Sequence, residues 1–313
     1  MKISPINYTY SAFKPAFKAN NWSEKSNGNY LIHETAFFRE PQTDEFVKNY
    51  LVENYLSKNK PVNIVVGACS TGEEVYSQAM LYDEYSHLVD ILGFDLSPKA
   101  IELAQEGDFI IYQNIFNDKS DKDCWHKDSY LGFSHPRTKK QAQYANLFND
   151  YFMDTTDIKK DFDPKIKGYS IFRGVKLFSL KKDKATNCTF RAGGTDQLPY
   201  FLEGKKANVI FFRNAMYHIA CHFETRMMKS DAEERIRNII RQMKENLAPN
   251  GLIVFGESEQ KQGIDALKMY RIMQEEGFEP INADYRHEKL QKTTAPYNMP
   301  ARYELANVWK FVG

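Results

Sequence analysis

Residues 62–80 read VNIVVGACSTGEEVYSQAM, and this stretch decides the fold. Its apolar first part predicts a buried strand over Val62–Ala68, and the small residues up to Gly72 predict a turn before a helix begins at Glu73. A turn of this kind leaves backbone N–H groups free and lets a ligand approach the main chain closely. Gly67, near the end of the strand, is therefore a candidate binding residue.

A second predicted strand, Asp90–Leu96, carries the acidic residue Asp95 at its end. Because parallel strands end at the same edge of a sheet, Asp95 is expected to face the same crevice as the first turn. A carboxylate in this place suits the two hydroxyls of a ribose. The turn alone is equally compatible with an ordinary connection that needs small residues for packing, and Asp95 favours the ligand-binding interpretation. The two strand ends together predict a cofactor that contains a nucleoside.

Strands and helices alternate along most of the chain. The predicted strands are Val62–Ala68, Asp90–Leu96, Ala207–Arg213, Leu252–Glu257, Phe278–Tyr285 and Asn307–Val312. The predicted helices are Asp44–Ser57, Glu73–Tyr85, one that follows Ser97-Pro98, and Ala232–Leu247. This alternation predicts a doubly wound, mostly parallel α/β sheet, in which the last two strands form a closing antiparallel pair.

Two segments depart from the alternation. Residues 1–34 are rich in Asn, Ser, Tyr and Lys, which predicts a poorly ordered N-terminal arm before a domain that spans residues 35–313. Residues from about 110 to 188 hold a charged loop, a helix near Lys139–Phe152 and a Lys-rich, β-like stretch, Tyr169–Phe190. We expect this second segment to form a small insertion subdomain beside the main sheet.

The composition argues against several classes of protein. The 42 basic and 41 acidic residues give a net charge of +1, which disfavours nucleic acid or a membrane surface as a partner. The four cysteines show no CxxC spacing, which favours a reducing compartment over a disulfide framework. No apolar run approaches the ~20 residues that span a bilayer, and the first residues lack the apolar core of a signal peptide. We therefore predict a cytoplasmic protein without membrane insertion.

Three further patterns have simple structural explanations. Cys69 lies in the turn, where a helix N-terminus would activate a thiol, but no histidine lies nearby in sequence and a small buried residue explains it better. His218 and His222 have the i, i+4 spacing of a metal pair, but no third ligand is evident, and no metal site is predicted. The lysines within residues 181–184 indicate a solvated hairpin or a docking surface for an acidic partner.

Four segments, read in order, carry a resemblance to one family. They are Thr35–Glu40 (TAFFRE), Cys69–Met80 (CSTGEEVYSQAM), Phe212–Asn214 (FRN) and Gly251–Glu259 (GLIVFGESE). Together, over about residues 33–260, they resemble the signatures of the CheR-type chemotaxis-receptor methyltransferases, which methylate glutamate side chains. The resemblance implies a class I AdoMet-dependent methyltransferase fold, with a seven-stranded, mostly parallel sheet and a small β-containing insertion.

The resemblance also implies a cofactor, S-adenosyl-L-methionine (AdoMet), and a product, S-adenosyl-L-homocysteine. By position, Glu73 holds the cofactor near the first turn, Asp95 binds its ribose hydroxyls, and Arg39 meets its methionine carboxylate. The family's Asn-Leu pair near the adenine falls on residues 194–195, and Asp196 is an alternative source of the polar contact. The implied cofactor-binding residues, in addition to Gly67, are Thr35, Arg39, Glu73, Asp95, Thr195, Arg213 and Asn214.

Two departures from the family pattern concern the reaction and the substrate. The family's tyrosine near the reacting methyl group is replaced by His218, with Tyr217 one place earlier, and these two are the candidate catalytic residues. Methyl transfer to a carboxylate is an in-line displacement that depends on orientation more than on a strong base. The family's helical N-terminal domain is not recognisable before Thr35, so recognition of the receptor is expected to differ.

The predicted function is methylation of a glutamate carboxylate in an acidic protein substrate, for which a membrane receptor is one candidate. The insertion is the predicted docking subdomain. One alternative is a methyltransferase of the same fold that acts on nitrogen or oxygen of another substrate, with His218 as a general base near the ordinary imidazole pKa of ~6.5. The other is a non-catalytic module that binds AdoMet or holds a partner.

Overall fold

The computed structural model describes residues 21–26, 29–114, 139–156, 158, 172–213, 215–221, 229–256, 266–283 and 306–313. Its strands are β1 (Asn21–Ser26), β2 (Asn29–Glu34), β3 (Val62–Gly67), β4 (Val89–Asp95), β5 (Asp108–Asn114), β6 (Phe152–Asp154), β7 (Phe172–Leu180), β8 (Cys188–Ala192), β9 (Ala207–Phe212), β10 (Leu247–Phe255), β11 (Phe278–Pro280) and β12 (Val308–Phe311). Its α-helices are α1 (Pro41–Asn54), α2 (Glu73–Leu81), α3 (Pro98–Glu106), α4 (Lys139–Tyr151), α5 (Leu198–Phe201), α6 (Met216–Ala220), α7 (Ala232–Glu245) and α8 (Ala266–Glu275). No helix within these ranges is long and apolar enough to cross a membrane.

The central sheet has seven strands in the order β11-β12-β10-β9-β3-β4-β8. Strands β10, β9, β3, β4 and β8 are parallel, whereas β12 is antiparallel to both of its neighbours. The predicted doubly wound, mostly parallel sheet and its closing antiparallel pair are confirmed. The chain proceeds outward from β3 to β8 and then returns to β9 on the other side of β3. In sheets of this kind a ligand binds at such a reversal, beyond the carboxyl ends of the strands.

The two faces of the sheet are covered by different helices because successive residues of a strand point to opposite sides. Ile64 and Val66 of β3 belong to the apolar cluster that includes α1 and α2. Val65, between them, belongs to the cluster that includes α7 and α8. Helix α3 starts as predicted, since the Ser97 hydroxyl accepts a hydrogen bond from the Ala100 N–H at 3.1 Å and proline takes the first helical position.

The seventh strand, β8, was not predicted, because its residues were expected to belong to the insertion. β8 pairs in parallel with β4 at the edge of the main sheet, and Gly93 lies opposite Phe190. Only Phe190 of this strand is buried, while Thr189 and Arg191 are exposed. An edge strand with one buried residue lacks the continuous apolar run by which parallel strands are usually recognised, so the pattern was missed.

The insertion contains an antiparallel sheet of its own. Its strands lie in the order β5-β7-β6, and α4 precedes β6 directly in the chain. The predicted helix near Lys139–Phe152 and a β-strand within Tyr169–Phe190 are therefore confirmed. The predicted charged loop falls mainly within residues 115–138, which lie outside the described residues. The described elements of this subdomain extend over 108–180 rather than 110–188.

The structure also differs from the prediction for the segment before Thr35. The prediction was a poorly ordered arm over residues 1–34. Residues 1–20 lie outside the described residues, but β1 and β2 form an antiparallel hairpin in which Ser26 pairs with Asn29. The two intervening residues in the sequence are Asn and Gly, the dipeptide that most strongly favours a two-residue hairpin turn. That local signal outweighed the polar composition, and it was available in the sequence.

The last described strand is tied to the start of α1 by a buried asparagine. The Asn307 side-chain amide lies within hydrogen-bond distance of Glu40 Oε2 (3.2 Å), Thr43 Oγ1 (3.1 Å) and the Phe255 carbonyl (3.2 Å). Its backbone N–H donates to Asn282 Oδ1 at 3.1 Å. The closing strand pair therefore fixes the N-terminal end of α1, directly after the TAFFRE segment.

Gly93 offers a test of how tightly β4 packs. A Cβ atom at this residue would lie 2.7 Å from Val75 Cγ2 and 3.0 Å from Phe190 Cδ1. We expect Gly93→Ala to lower the free energy of unfolding by about 2–3 kcal/mol in urea denaturation, because these side chains must move. Gly204→Ala adds the same methyl group in open space at φ +82° and should cost only about 1 kcal/mol. A loss at Gly93 no larger than at Gly204 would contradict this account.

Candidate cofactor-binding and active site

The turn after β3 is built from residues in an uncommon backbone conformation. The φ angles of Ala68, Ser70 and Gly72 are +52°, +51° and +95°, in the left-handed region that glycine alone adopts readily. Hydrogen bonds hold the turn in place, since the Cys69 N–H donates to the Phe94 carbonyl and the Gly72 N–H to the Cys69 carbonyl, both at 3.0 Å. The predicted turn is therefore present at the carboxyl end of β3.

Gly67, the last residue of β3, packs against two aromatic rings. A Cβ atom at this residue would lie 2.6 Å from Phe212 Cδ2 and 2.7 Å from Phe94 Cζ. The absence of a side chain is thus required for packing of the neighbouring strands β9 and β4. A contact between Gly67 and the cofactor stays a prediction.

The Asp95 carboxylate joins the loops that follow β3 and β4. Its Oδ2 accepts a hydrogen bond from the Ser70 N–H at 2.8 Å, and its Oδ1 accepts one from the Ser97 N–H at 2.9 Å. The Asp95 carbonyl accepts a third hydrogen bond, from the Gly193 N–H at 2.8 Å. An ionised carboxylate is an acceptor with two oxygens, which is the chemistry that the two hydroxyls of a ribose require. This chemistry fits the predicted role of Asp95.

Glu73, the first residue of α2, is a buried carboxyl group beside two other predicted cofactor residues. Its Oε2 accepts a hydrogen bond from the Thr71 hydroxyl at 2.6 Å. Burial raises the pKa of Glu73 to about 7, although hydrogen bonding from Thr71, the nearby charge of Arg39 and the Thr35 hydroxyl act in the opposite direction. The structure thus brings Thr35, Arg39 and Glu73 together. Their contact with the cofactor stays a prediction.

Arg213 lies at the end of β9, where its side chain is 1% exposed. Its guanidinium lies 2.6 Å from Asp44 Oδ1, 3.3 Å from Glu74 Oε1 and 3.8 Å from Glu40 Oε2. Burial alone would lower the pKa of Arg213, but these three carboxylates raise it above its ordinary value. We call these four residues the Arg213 cluster. It joins α1, α2 and β9 behind the crevice, and a direct contact of Arg213 with the cofactor stays a prediction.

Thr195 begins the short turn after β8 and is buried. Its hydroxyl donates a hydrogen bond to Gln242 Oε1 of α7 at 2.5 Å. Beside it, a Cβ atom at Gly194 would lie 2.6 Å from Asp196 Oδ1 and 3.5 Å from Leu96 Cδ2. Because the Thr195 hydroxyl is engaged with α7, this arrangement favours the alternative in which Asp196 supplies the polar contact near the adenine.

The two candidate catalytic residues lie on the short helix α6. The ring centroids of Tyr217 and His218 are 3.7 Å apart. Burial, followed by the charge of Lys229, lowers the pKa of His218 to about 4. The imidazole is therefore neutral at physiological pH, and it is a weaker base than the group near pH 6.5 that the alternative reaction required. Asn214 and His222 lie outside the described residues, so their predicted roles are untested.

The thiol of Cys69 is not poised for nucleophilic chemistry. Burial, followed by the charges of Asp95, Glu74 and Glu73, raises its pKa well above the ordinary value. A neutral thiol is a poor nucleophile and a poor metal ligand. In the part of the chain that the structure describes, no group of three or more His, Cys, Asp or Glu side chains could hold a metal ion.

Two of the lysines within residues 181–184 have structural partners. The Lys181 ammonium donates to the carbonyls of Asn149 and Asp150, at 2.8 and 3.0 Å, at the end of α4. The Lys184 ammonium lies 3.5 Å from Asp83 Oδ1. Lys181 therefore contacts the insertion and Lys184 the main domain, so these two lysines have structural roles of their own.

Two hydroxyl residues that shape the site were missed by the sequence analysis. Thr71 hydrogen bonds to Glu73, and Ser77, one turn further along α2, donates to the Glu73 carbonyl at 2.7 Å. The Ser77 oxygen also accepts the Phe38 N–H at 2.9 Å. A hydroxyl two residues before an acidic helix start is a local signal that could have identified Thr71. The contact between Ser77 and Phe38 spans 39 positions and had no such signal.

The segment that carries the first residues of this site is similar to known proteins. Residues 33–116 match the model of a family described as CheR methyltransferase, SAM binding domain. The chain is 35% identical over 115 residues to a chemotaxis protein methyltransferase of Borreliella burgdorferi (strain ATCC 35210 / DSM 4680 / CIP 102532 / B31), in a match that covers 30% of this chain and 41% of that protein. The chain thus spans about two fifths of the length of this curated relative.

Solved structures of methyltransferases are also similar to this chain. One is magnesium protoporphyrin IX methyltransferase (ChlM) from Synechocystis PCC 6803 with bound SAM, at 12% identity and a TM-score of 0.36, covering 86% of this chain and 77% of that chain. Another is the DszA carbon methyltransferase, at 10% identity and a TM-score of 0.41, covering 87% of this chain and 54% of that chain.

The strand order and the matched segment define the class: the protein has the class I fold of AdoMet-dependent methyltransferases. AdoMet, predicted from the sequence, is confirmed as the cofactor by the match to a SAM-binding domain. Within this class, the resemblance to the CheR methyltransferases is also confirmed, over the segment that contains Thr35, Arg39, Glu73 and Asp95.

The raised pKa of Glu73 predicts pH-dependent cofactor binding. In its predicted role, an ionised Glu73 would attract the ammonium group of AdoMet, and this charge is lost as the pH falls through the raised pKa of about 7. By calorimetry between pH 5.5 and 7.5, we expect the affinity for AdoMet to fall below pH 7, approaching about tenfold per pH unit. Glu73→Gln should bind weakly without this slope, and Glu84→Gln, an exposed glutamate paired with Lys48, should retain it. A wild-type affinity for AdoMet that does not change with pH would contradict the role assigned to Glu73.

The Arg213 cluster predicts a large effect on stability. Arg213→Met leaves buried carboxylates without their cation, and we expect the free energy of unfolding to fall by about 3–5 kcal/mol in urea denaturation. The matched control is Arg235→Met, which breaks an exposed pair with Asp231 and should have a far smaller effect. Similar losses in the two variants would show that the buried carboxylates do not depend on the charge of Arg213.

Proposed function

We propose that this protein transfers the methyl group of AdoMet to the side-chain carboxylate of a glutamate in a protein substrate. One observation carries the proposal: Thr35 and Arg39, from the segment that resembles the CheR signature, lie beside Glu73. Asp95 stands at the end of the neighbouring strand β4. This is the donor set that a nucleoside with an amino-acid arm requires.

The residues of the crevice match the parts of the cofactor one by one. The Asp95 carboxylate suits the ribose hydroxyls, Glu73 suits the ammonium group, and Arg39 suits the methionine carboxylate. When bound, AdoMet supplies a methyl group on a sulfonium, which is a good leaving group. The protein's contribution is to fix the donor in one orientation and to align the acceptor oxygen with the bond that breaks.

The state of His218 favours a carboxylate acceptor. A glutamate side chain has an ordinary pKa of ~4.3 and is already ionised at neutral pH, so no base has to remove a proton before transfer. His218, with a pKa lowered to about 4, is a weak base and suits such a reaction. An amine or hydroxyl acceptor would make a stronger demand on this residue.

The proposed partner is a protein with exposed acidic side chains, and a membrane receptor is one such substrate. We propose docking through the insertion, whose described elements are β5, α4, β6 and β7 and whose aromatic rings pack against Phe37 and Phe38. A cytoplasmic location is part of the same proposal. The curated relative is named a chemotaxis protein methyltransferase, which supports a protein acceptor.

The test is methyl transfer to acidic helical peptides that contain pairs of glutamates, with glutamine versions of the same peptides as controls. The full chain is incubated with AdoMet that carries a labelled methyl group. We expect label only in the glutamate peptides, released as methanol in mild base, because a carboxyl methyl ester is base-labile. Base-stable label would indicate methylation of a nitrogen or a hydroxyl oxygen instead. AdoMet binding without transfer to any acceptor would favour the binding-module alternative.

A variant of Asp95, with a control variant of Asp90, tests the assignment of the ribose hydroxyls. We expect Asp95→Asn to weaken AdoMet binding by about tenfold or more, measured by calorimetry, because hydrogen bonds to a charged acceptor contribute ~1.5–3 kcal/mol. Asp90→Asn changes an exposed aspartate of the same strand, paired with Lys205, and should leave binding unchanged. Equal affinities of the two variants would overturn the ribose assignment.

A further inference from the structure

Two consecutive phenylalanines stand between Thr35 and Arg39, and both rings are buried. The Phe37 ring contacts three rings of the insertion edge to face, with centroid distances of 4.9, 5.0 and 5.5 Å. Those three rings belong to Phe109, Phe148 and Phe152. The segment that carries the predicted cofactor residues is thus anchored in the insertion.

Phe38 is held by two independent contacts. Its ring stacks on Tyr144 of α4, with centroids 4.6 Å apart and an interplanar angle of 28°. Its φ angle is +47°, an unfavourable conformation for a bulky residue that persists only where the surroundings impose it. Its N–H donates to the Ser77 hydroxyl at 2.9 Å. The backbone therefore turns at Phe38 in a way that the insertion and α2 jointly impose.

Ser77 connects this turn to the carboxylate side of the crevice. Its hydroxyl donates to the Glu73 carbonyl at 2.7 Å, so Phe38 is linked to the turn of α2 that begins with Glu73. Thr35 and Arg39, on either side of the two phenylalanines, interact with the Glu73 carboxyl group. Among the described residues, Phe37, Phe38 and Ser77 thus connect the insertion to these three polar groups through buried contacts.

We propose that Phe37, Phe38, Ser77 and Tyr144 are positioning residues that hold Thr35 and Arg39 against Glu73. The insertion thereby sets the affinity for the amino-acid arm of AdoMet. The inference rests on the proposed roles of these polar residues at the cofactor. The positioning residues act through the polar residues and need not touch the ligand. By linkage, a partner that moves α4 changes cofactor affinity, and cofactor changes partner affinity by the same factor.

The test compares two ligands that differ only in the arm. S-adenosylhomocysteine carries the amino-acid arm, whereas 5′-methylthioadenosine replaces it with a methyl group. For Tyr144→Leu in the full chain, we expect about tenfold weaker binding of S-adenosylhomocysteine, because the ring that stacks on Phe38 is lost. Binding of 5′-methylthioadenosine should change by less than about twofold, because the adenine and ribose contacts are intact. Tyr144→Phe keeps the ring and should restore the wild-type ratio.

Two further variants separate positioning from general destabilisation. Ser77→Ala removes the acceptor of the Phe38 N–H without touching the aromatic rings, and it should reproduce the selective loss. Phe278→Leu removes a buried ring that packs on Phe311 at the opposite edge of the sheet and should leave the ratio of the two affinities unchanged. In the Arg39→Ala background, Tyr144→Leu should cause little additional loss, because both changes act on the same contact.

The outcomes distinguish this inference from the proposed function. Suppose that the wild type binds S-adenosylhomocysteine. If Tyr144→Leu and Ser77→Ala then weaken the binding of both ligands equally, or of neither, the positioning role is overturned while the cofactor site stands. If the wild type binds neither ligand, the proposed function fails and this inference fails with it. A selective loss in both variants, with restoration by Tyr144→Phe, supports the inference.

Discussion

The site depends on one buried guanidinium. Arg213 contacts Glu40, Asp44 and Glu74, and its charge is held in place by carboxylates from two helices. Glu40 follows Arg39 in the sequence and Glu74 follows Glu73, so the cluster fixes the backbone beside two cofactor-side groups at once. Burial makes this arrangement costly to break but not necessarily stabilising in itself. Its contribution is geometric, since it sets the distance between segments that are remote in the chain.

The sequence predicted the features of the fold that depend on local pattern. The apolar strands β3 and β4, the N-cap at Ser97 and the closing strand pair followed from periodicity and capping chemistry. Strand β8 was missed because its exposed residues hide the pattern of a parallel strand, and the hairpin before Thr35 was missed because composition was given more weight than the Asn-Gly signal. Both errors arose where a local signal was weak or was overruled.

The residues of the site were predictable only where a sequence motif marked them. The motif resemblance placed Thr35, Arg39 and Glu73 in one site, and the structure has Thr35 and Arg39 near the Glu73 carboxyl group, while the contacts of these residues and of Asp95 with the cofactor stay predictions. The buried state of Arg213 was not predictable, because its partners come from α1 and α2 and burial is a tertiary property. The low pKa of His218 likewise depends on burial and on Lys229. Contacts that join distant segments decide the electrostatics, and no local pattern encodes them.

The contact of Asn307 with Glu40 has a consequence for how the protein is made. The two residues are 267 positions apart, and the start of α1 acquires this partner only after the strand that follows Asn307 has been synthesised and inserted between β10 and β11. Contacts of such long sequence separation form slowly, because the entropy of closing the loop must be overcome first. During translation, β3, β4 and their helices can assemble while the TAFFRE segment still lacks its final support. The support that Asn307 gives to the segment before α1 therefore forms later than the pairing of β3 with β4.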